Sequence, residues 1–202
     1  MIPRILFLYF FTGILFLGSP KFSALKSLQN NIIDTSKSPA DSSTTNKNFP
    51  STRNNIVKDS ISGMPMLIGK CTRGAFNDTS FSWWWKSEYD LYDIDSSKLK
   101  EIKNDLRNIN IKIVMGTWCS DSRREVPRFF KILDAVNYPS DKVAIICVDE
   151  DKKTRGNELT GLKIELVPTL IFYKNGNELG RIVESPNDTL EKDIIKILTA
   201  HS

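Results

Sequence analysis

The segment Trp118-Cys119-Ser120-Asp121-Ser122 carries a thiol three positions before a hydroxyl, flanked by the bases Arg123 and Arg124 and the acids Asp121 and Glu125. A cysteine thiolate attacks disulfides, so the chemistry on offer is thiol–disulfide exchange. If a helix starts here, Cys119 stands at its first turn, where unpaired backbone amides and the positive end of the dipole favour the thiolate. Ser122, one turn along, is then expected to donate its hydroxyl to the sulfur. The chain has two further cysteines, Cys71 and Cys147, an odd total of three. Cys147 lies in the apolar run Val-Ala-Ile-Ile-Cys-Val and reads as a small buried core residue. Cys71 follows Ile68-Gly69-Lys70 and is the candidate for a resolving thiol that would complete an exchange begun at Cys119. The single histidine, His201, is next to the C-terminus, which removes histidine-based triads, and three dispersed cysteines make a poor zinc site. Neither a metal nor an organic cofactor is needed.

Elements must hold that thiol, and the periodicity supplies them. Ile111 to Met115 reads as a buried strand, Asp121 to Ala135 as a helix with Val126, Phe129, Phe130 and Leu133 inward, and Val143 to Val148 as a second buried strand. Strands joined through a helix imply a parallel pair. A connecting helix is expected around Gly156 to Gly161. Thr169 to Tyr173, the turn Asn175-Gly176 and Glu178 to Val183 read as an antiparallel hairpin. A last helix is expected from Asp188, with Glu191 at capping-box spacing and Leu190, Ile194, Ile197 and Leu198 buried. Upstream, Phe81, Trp85, Tyr89 and Tyr92 recur at helical spacing, an aromatic face suited to clamping a helix onto the domain. Asp95 to Ser97 cap a second helix through Leu99, Ile102 and Leu106.

The order βαβ, connector, ββα, with Trp-Cys ending the first strand and Val-Pro-Thr opening the third, resembles the thioredoxin family over roughly residues 111–200. The residues that carry the likeness are Trp118 and Cys119, Pro127 eight positions after the cysteine, and Val167, Pro168 and Thr169. The strand and turn Thr-Leu-Ile-Phe-Tyr-Lys-Asn-Gly complete it. The resemblance implies an α/β thioredoxin-like fold, a central mixed sheet flanked by helices, here with an N-terminal helical extension. It also implies that the bond before Pro168 is cis and that this loop lies against the cysteine. Trp118, Val167, Pro168 and Thr169 would then be the substrate-binding residues, with the backbone of Val167 pairing with an extended segment. Two departures stand out. Ser122 replaces the second thiol of a dithiol member, and Ile113 replaces the buried acid six residues before the cysteine. Both point to a monothiol mechanism.

Arg4, an apolar run from Ile5 to Leu17, and Gly18-Ser19-Pro20 read as a secretory signal peptide over 1–24. The run falls short of the ~18 or more apolar residues of a spanning helix, and an uncleaved tether is the other reading. Residues 25–63, rich in Ser, Thr, Asn, Asp and Lys, read as a disordered polar linker, followed by the helical extension over 64–110 and the thioredoxin-like domain over 111–202. Export places the domain in the periplasm or outside the cell. The net charge of +4 comes from Lys and Arg scattered among acids, so no nucleic-acid partner is expected. Expected partners are protein thiols or disulfides, with a membrane electron donor as a further candidate. Two functions follow: a thiol-disulfide oxidoreductase or isomerase acting through Cys119, or a redox-inactive binding module holding a partner on the Pro168 face. A peroxidase fits less well, because Gly116 stands where such enzymes carry threonine.

Overall fold

The computed structural model describes residues 53–200. The expected signal peptide, the linker up to residue 52, and His201 lie outside the described residues. Within them, the strands β1 (Asn55–Lys58), β2 (Pro65–Cys71), β3 (Ile109–Met115), β4 (Val143–Cys147), β5 (Thr169–Lys174) and β6 (Asn177–Val183) form one sheet in the order β1-β2-β4-β3-β5-β6. β3 and β4 are parallel, and every other neighbouring pair is antiparallel. The parallel pair and the β5 to β6 hairpin fall where the periodicity placed them.

The N-terminal part differs from expectation. Asn55–Lys58, inside the expected linker, is strand β1, and Pro65–Cys71, inside the expected helical extension, is strand β2. The polar residues between them build the turn. The Asp59 carboxylate accepts from the amides of Ile61 and Ser62 at 3.1 Å each and from the Ser62 hydroxyl, while Gly63 takes φ +70°. Composition reads as linker because β1 is a short edge strand with Ile56 45% exposed, so it carries little apolar signal. β2 extends the sheet by pairing with β4.

The two sheet faces are covered differently. Alternation puts Ile109, Ile111, Ile113 and Met115 of β3, Ile145 and Cys147 of β4, and Leu170 and Phe172 of β5 on the first face. Residues of α1 (Thr79–Leu91), α2 (Leu99–Asp105), α3 (Ser120–Ala135) and α4 (Leu190–Thr199) pack into this core. Trp85 stacks on Phe76 with centroids 4.3 Å apart and meets Phe130 of α3 at 5.4 Å, so the aromatic face of α1 is packed as its spacing predicts. Polar groups bind the rim. Arg73 grips Asp134 of α3 with two bonds of 2.7 and 2.6 Å, Arg128 holds Glu88, and the Tyr92 hydroxyl donates to Glu191. Glu191 is thus a tertiary tie rather than half of a capping box. The α4 cap is Thr189, one residue later than expected, accepting from the Lys192 amide.

Val114, Ile146, Val148, Val167 and Ile171 face the other way and are covered with Leu162 from the 149–166 segment. The expected connecting helix around Gly156 to Gly161 is instead a chain of turns, with Thr160 N–H bonded to Asn157 O and Leu162 N–H to Leu159 O. Six residues closed by two glycines, Gly161 at φ +78°, are too few and too glycine-rich to hold a helix.

Candidate functional site

The site forms where β3 ends and α3 begins. Cys119 is the N-cap residue of α3, with extended backbone at φ −79°, ψ 127°. Its carbonyl accepts the Arg123 amide at 3.0 Å, so the helix starts from it. The amides of Ser120, Asp121 and Ser122 have no intrahelical carbonyl to bond, and they place a positive helix end beside the thiol. The side chain is half-buried against the second-face cluster, next to Trp118. Its Sγ–H donates to the carbonyl oxygen of Val167 at 3.1 Å. The Val167–Pro168 bond is cis, and Thr169 closes this loop by donating its hydroxyl to Leu166 O at 2.6 Å. Trp118 and Cys119 are therefore brought together with the Val167, Pro168 and Thr169 loop, although Cys119 and Val167 are 48 positions apart along the chain.

Ser122 is the exception. It is wholly buried, and its hydroxyl oxygen accepts the Gly116 amide at 3.2 Å. The expected donation to the Cys119 sulfur is replaced by an anchor for the end of β3. The loop doubles back here, with the Cys119 amide on Gly116 O at 3.1 Å, which brings the Gly116 amide to the Ser122 oxygen.

Cys71, the expected resolving thiol, is also elsewhere. It pairs in register with Ile145 on β4 and belongs to the first-face core, whereas Cys119 packs on the second. Its neighbour is Cys147, whose thiol is pushed well up, first by burial and then by Cys71. Ile113, in the place of the family's buried acid, is fully buried and apolar.

Local charge largely cancels. Arg124 reaches Asp121 at 2.8 Å and Glu125 at 2.6 Å, and the bond to Glu125 is the main reason its guanidinium holds its proton more firmly than usual. Arg123 donates through Nε to Thr117 O at 2.6 Å. Arg124 is met by two acids, whereas Arg123 is bonded to a neutral carbonyl and keeps its charge beside the positive helix end.

Three residues that the pattern did not single out complete the loop. Gly116 is required by the Trp118 ring: a Cβ there would lie 2.5 Å from Trp118 Cε2. Thr117 is buried, and its Oγ1 accepts the Leu67 amide of β2 at 3.1 Å. Val148 receives the Trp118 indole N–H on its carbonyl at 2.9 Å. The glycine directly before Thr-Trp-Cys is the one signal in the sequence that could have flagged this packing.

A thioredoxin family model matches residues 84–195. A thioredoxin of Malassezia sympodialis is 31% identical over 87 residues, 43% of this chain and 75% of that protein. The mitochondrial thioredoxin O of rice is 36% identical over 76 residues, 38% of this chain and 41% of that one. A thioredoxin-like protein of Acanthamoeba polyphaga mimivirus is 29% identical over 80 residues, 40% of this chain and 56% of that one. The chain thus spans about half the length of the viral and rice relatives.

Proposed function

The chain belongs to the thioredoxin family, and from that membership we propose that it is a monothiol thiol–disulfide exchange protein acting on protein disulfides through Cys119. The observation that carries the reading is the Cys119 sulfur at a helix start, 3.1 Å from the Val167 carbonyl. That carbonyl holds the thiol proton at rest, and it is also the acceptor that an extended substrate would want for its own amide. Ionisation of Cys119 frees it, so substrate docking and thiolate formation favour each other.

The reaction is a simple exchange. The Cys119 thiolate attacks one sulfur of a substrate disulfide, a Cys119–substrate disulfide forms, and the second substrate sulfur leaves as thiolate. With Ser122 in place of a second thiol, the intermediate is resolved from outside. Return of the substrate thiol gives isomerisation. Attack by an external thiol gives net reduction, the two electrons coming from a donor, for which a membrane protein is one candidate. The apolar run at residues 5–17 supports a cell-envelope location.

Acid-quenched mass spectrometry of the protein mixed with a disulfide-bonded peptide tests this reading. A wild-type adduct at Cys119, absent in Cys119→Ser, is expected. If Cys119→Ser exchanges as fast as wild type, the proposal fails and the fold serves as a binding module.

A further inference from the structure

The two cysteines that the exchange site does not use lie together. β2 runs antiparallel to β4 with Gly69 opposite Cys147 and Cys71 opposite Ile145, so Cys71 and Cys147 are diagonal neighbours on one strand pair. Both side chains are in the first-face core, Cys147 fully buried and Cys71 8% exposed. Both are free thiols. The Cys71 S–H points at the Gly69 carbonyl at 3.4 Å, and its sulfur interacts with Cys147. Burial makes Cys147 a poor first attacker. Cys71, in contrast, lines an open cavity of about 940 Å³ together with Arg73, Phe130 and Ile145.

We propose that Cys71 and Cys147 are a second dithiol couple, separate from Cys119, which a small disulfide entering this cavity oxidises to a bond between β2 and β4. Cys71 thiolate attacks one sulfur of R–S–S–R, forming Cys71–S–S–R and releasing RS⁻, which takes up a proton. Cys147, giving up its proton, then attacks the Cys71 sulfur and expels the second RS⁻. Two protein thiols lose two electrons and two protons in all, and one R–S–S–R becomes two RSH. Diagonal neighbours stand about 7–8 Å apart at Cα, beyond the roughly 6.8 Å that a disulfide usually spans, so the bond requires the backbone of the two strands to draw together. Gly69, at φ +81° between Cys71 and the rest of β2, is where the strand can adjust. The closed bond would staple the β1–β2 hairpin to the parallel core strand β4.

The test uses full-length reduced wild type and Cys119→Ser. Each is incubated with oxidised glutathione, blocked with an alkylating reagent under denaturing conditions, digested and mapped by mass spectrometry. The expected result is a Cys71 peptide linked to the Cys147 peptide in both proteins, reversed by dithiothreitol. Because Cys119→Ser lacks the exchange thiol, linkage in that protein stands or falls apart from the proposed function. In Cys147→Ala the first step alone remains, and Cys71 should accumulate as its glutathione adduct; should that variant not fold, the wild-type map decides. Recovery of Cys71 and Cys147 as separate alkylated or glutathione-bearing peptides overturns the proposal, as does a Cys71–Cys119 linkage.

Discussion

Replacing Ser122 by alanine separates an anchor from a catalytic donor. The hydroxyl oxygen accepts the Gly116 amide at 3.2 Å in a fully buried position. Without it, that amide is orphaned beneath the Trp118 ring, and an unsatisfied buried donor costs about 1–3 kcal/mol. Only one oxygen is vacated, so the cavity adds little. In a domain of this size each kcal/mol moves Tm by about 2–4 °C, and Ser122→Ala should melt roughly 2–12 °C below wild type. Exchange should respond differently. Had the hydroxyl stabilised the thiolate, its loss would cost about 1.5–3 kcal/mol, the worth of a hydrogen bond to a charged group. That amount corresponds to roughly a ten- to hundred-fold drop in rate. Since the hydroxyl oxygen is bonded to the Gly116 amide and the hydrogen bonds among the described residues include none from it to the sulfur, the second-order rate with a disulfide peptide, measured well below Tm, should stay close to wild type. A tenfold or larger rate loss with unchanged melting would refute the anchor.

Gly116→Ala places a Cβ 2.5 Å from the Trp118 ring, so the indole must leave Val148; overpacking of this kind costs about 1–3 kcal/mol, and both melting and exchange should fall. Trp85→Ala removes the ring stacked on Phe76 and should cost about 3–5 kcal/mol in urea unfolding; a change near zero would mean that the aromatic face is not core. Burial raises the Asp134 carboxyl, but the Arg73 and Tyr89 bonds outweigh it and hold it below the usual range. A depressed folded value stabilises above the unfolded pKa of about 3.9 and is lost as pH falls through the folded value, so wild type should lose stability below about pH 4. Asp134→Asn should flatten that acid limb, by no more than about 1 kcal/mol for so exposed a pair. Ser122→Cys supplies the missing second thiol, so the Cys119 mixed disulfide, trapped by acid quench, should be shorter-lived than in wild type; equal lifetimes would show that resolution does not wait on a thiol at position 122.

The legible parts of the fold are those where one physical signal dominates. β3, β4 and α3 carry buried apolar runs or a single apolar stripe, so period alone finds them to within two residues. β1 is missed because an edge strand with half-exposed side chains needs little hydrophobicity, and its tight turn is polar by necessity. The expected helix at Gly156 to Gly161 fails for the converse reason: the fold's usual connector is present as a covering loop, and two glycines weigh more than topology. At the site, Trp118, Cys119 and the Val167–Thr169 loop come together as the resemblance implies. Ser122 and Cys71 do not, since where a hydroxyl points and which thiols meet depend on a loop reversal and a strand register. Neither is visible in spacing.

The hydrogen bonds of the turn show why its thiol is presented so definitely. Gly116 N–H goes to Ser122 Oγ and Gly116 O takes the Cys119 amide; Thr117 binds Leu67 through Oγ1 and Arg123 through its carbonyl; Trp118 holds Val148. These ties fix the loop to α3, to β2 and to the residue after β4, so the N-terminal hairpin supports the active turn directly. The Cys119 thiol is different, because its partner, the Val167 carbonyl, is one that a substrate amide can replace. A nucleophile held by a rigid frame, with one exchangeable bond, loses little freedom on meeting a disulfide and so keeps most of the advantage of proximity. Loosening the Thr117–Leu67 or the Trp118–Val148 tie should therefore slow exchange through position, even where the sulfur's own chemistry is untouched, whereas the Gly116–Ser122 tie acts on stability.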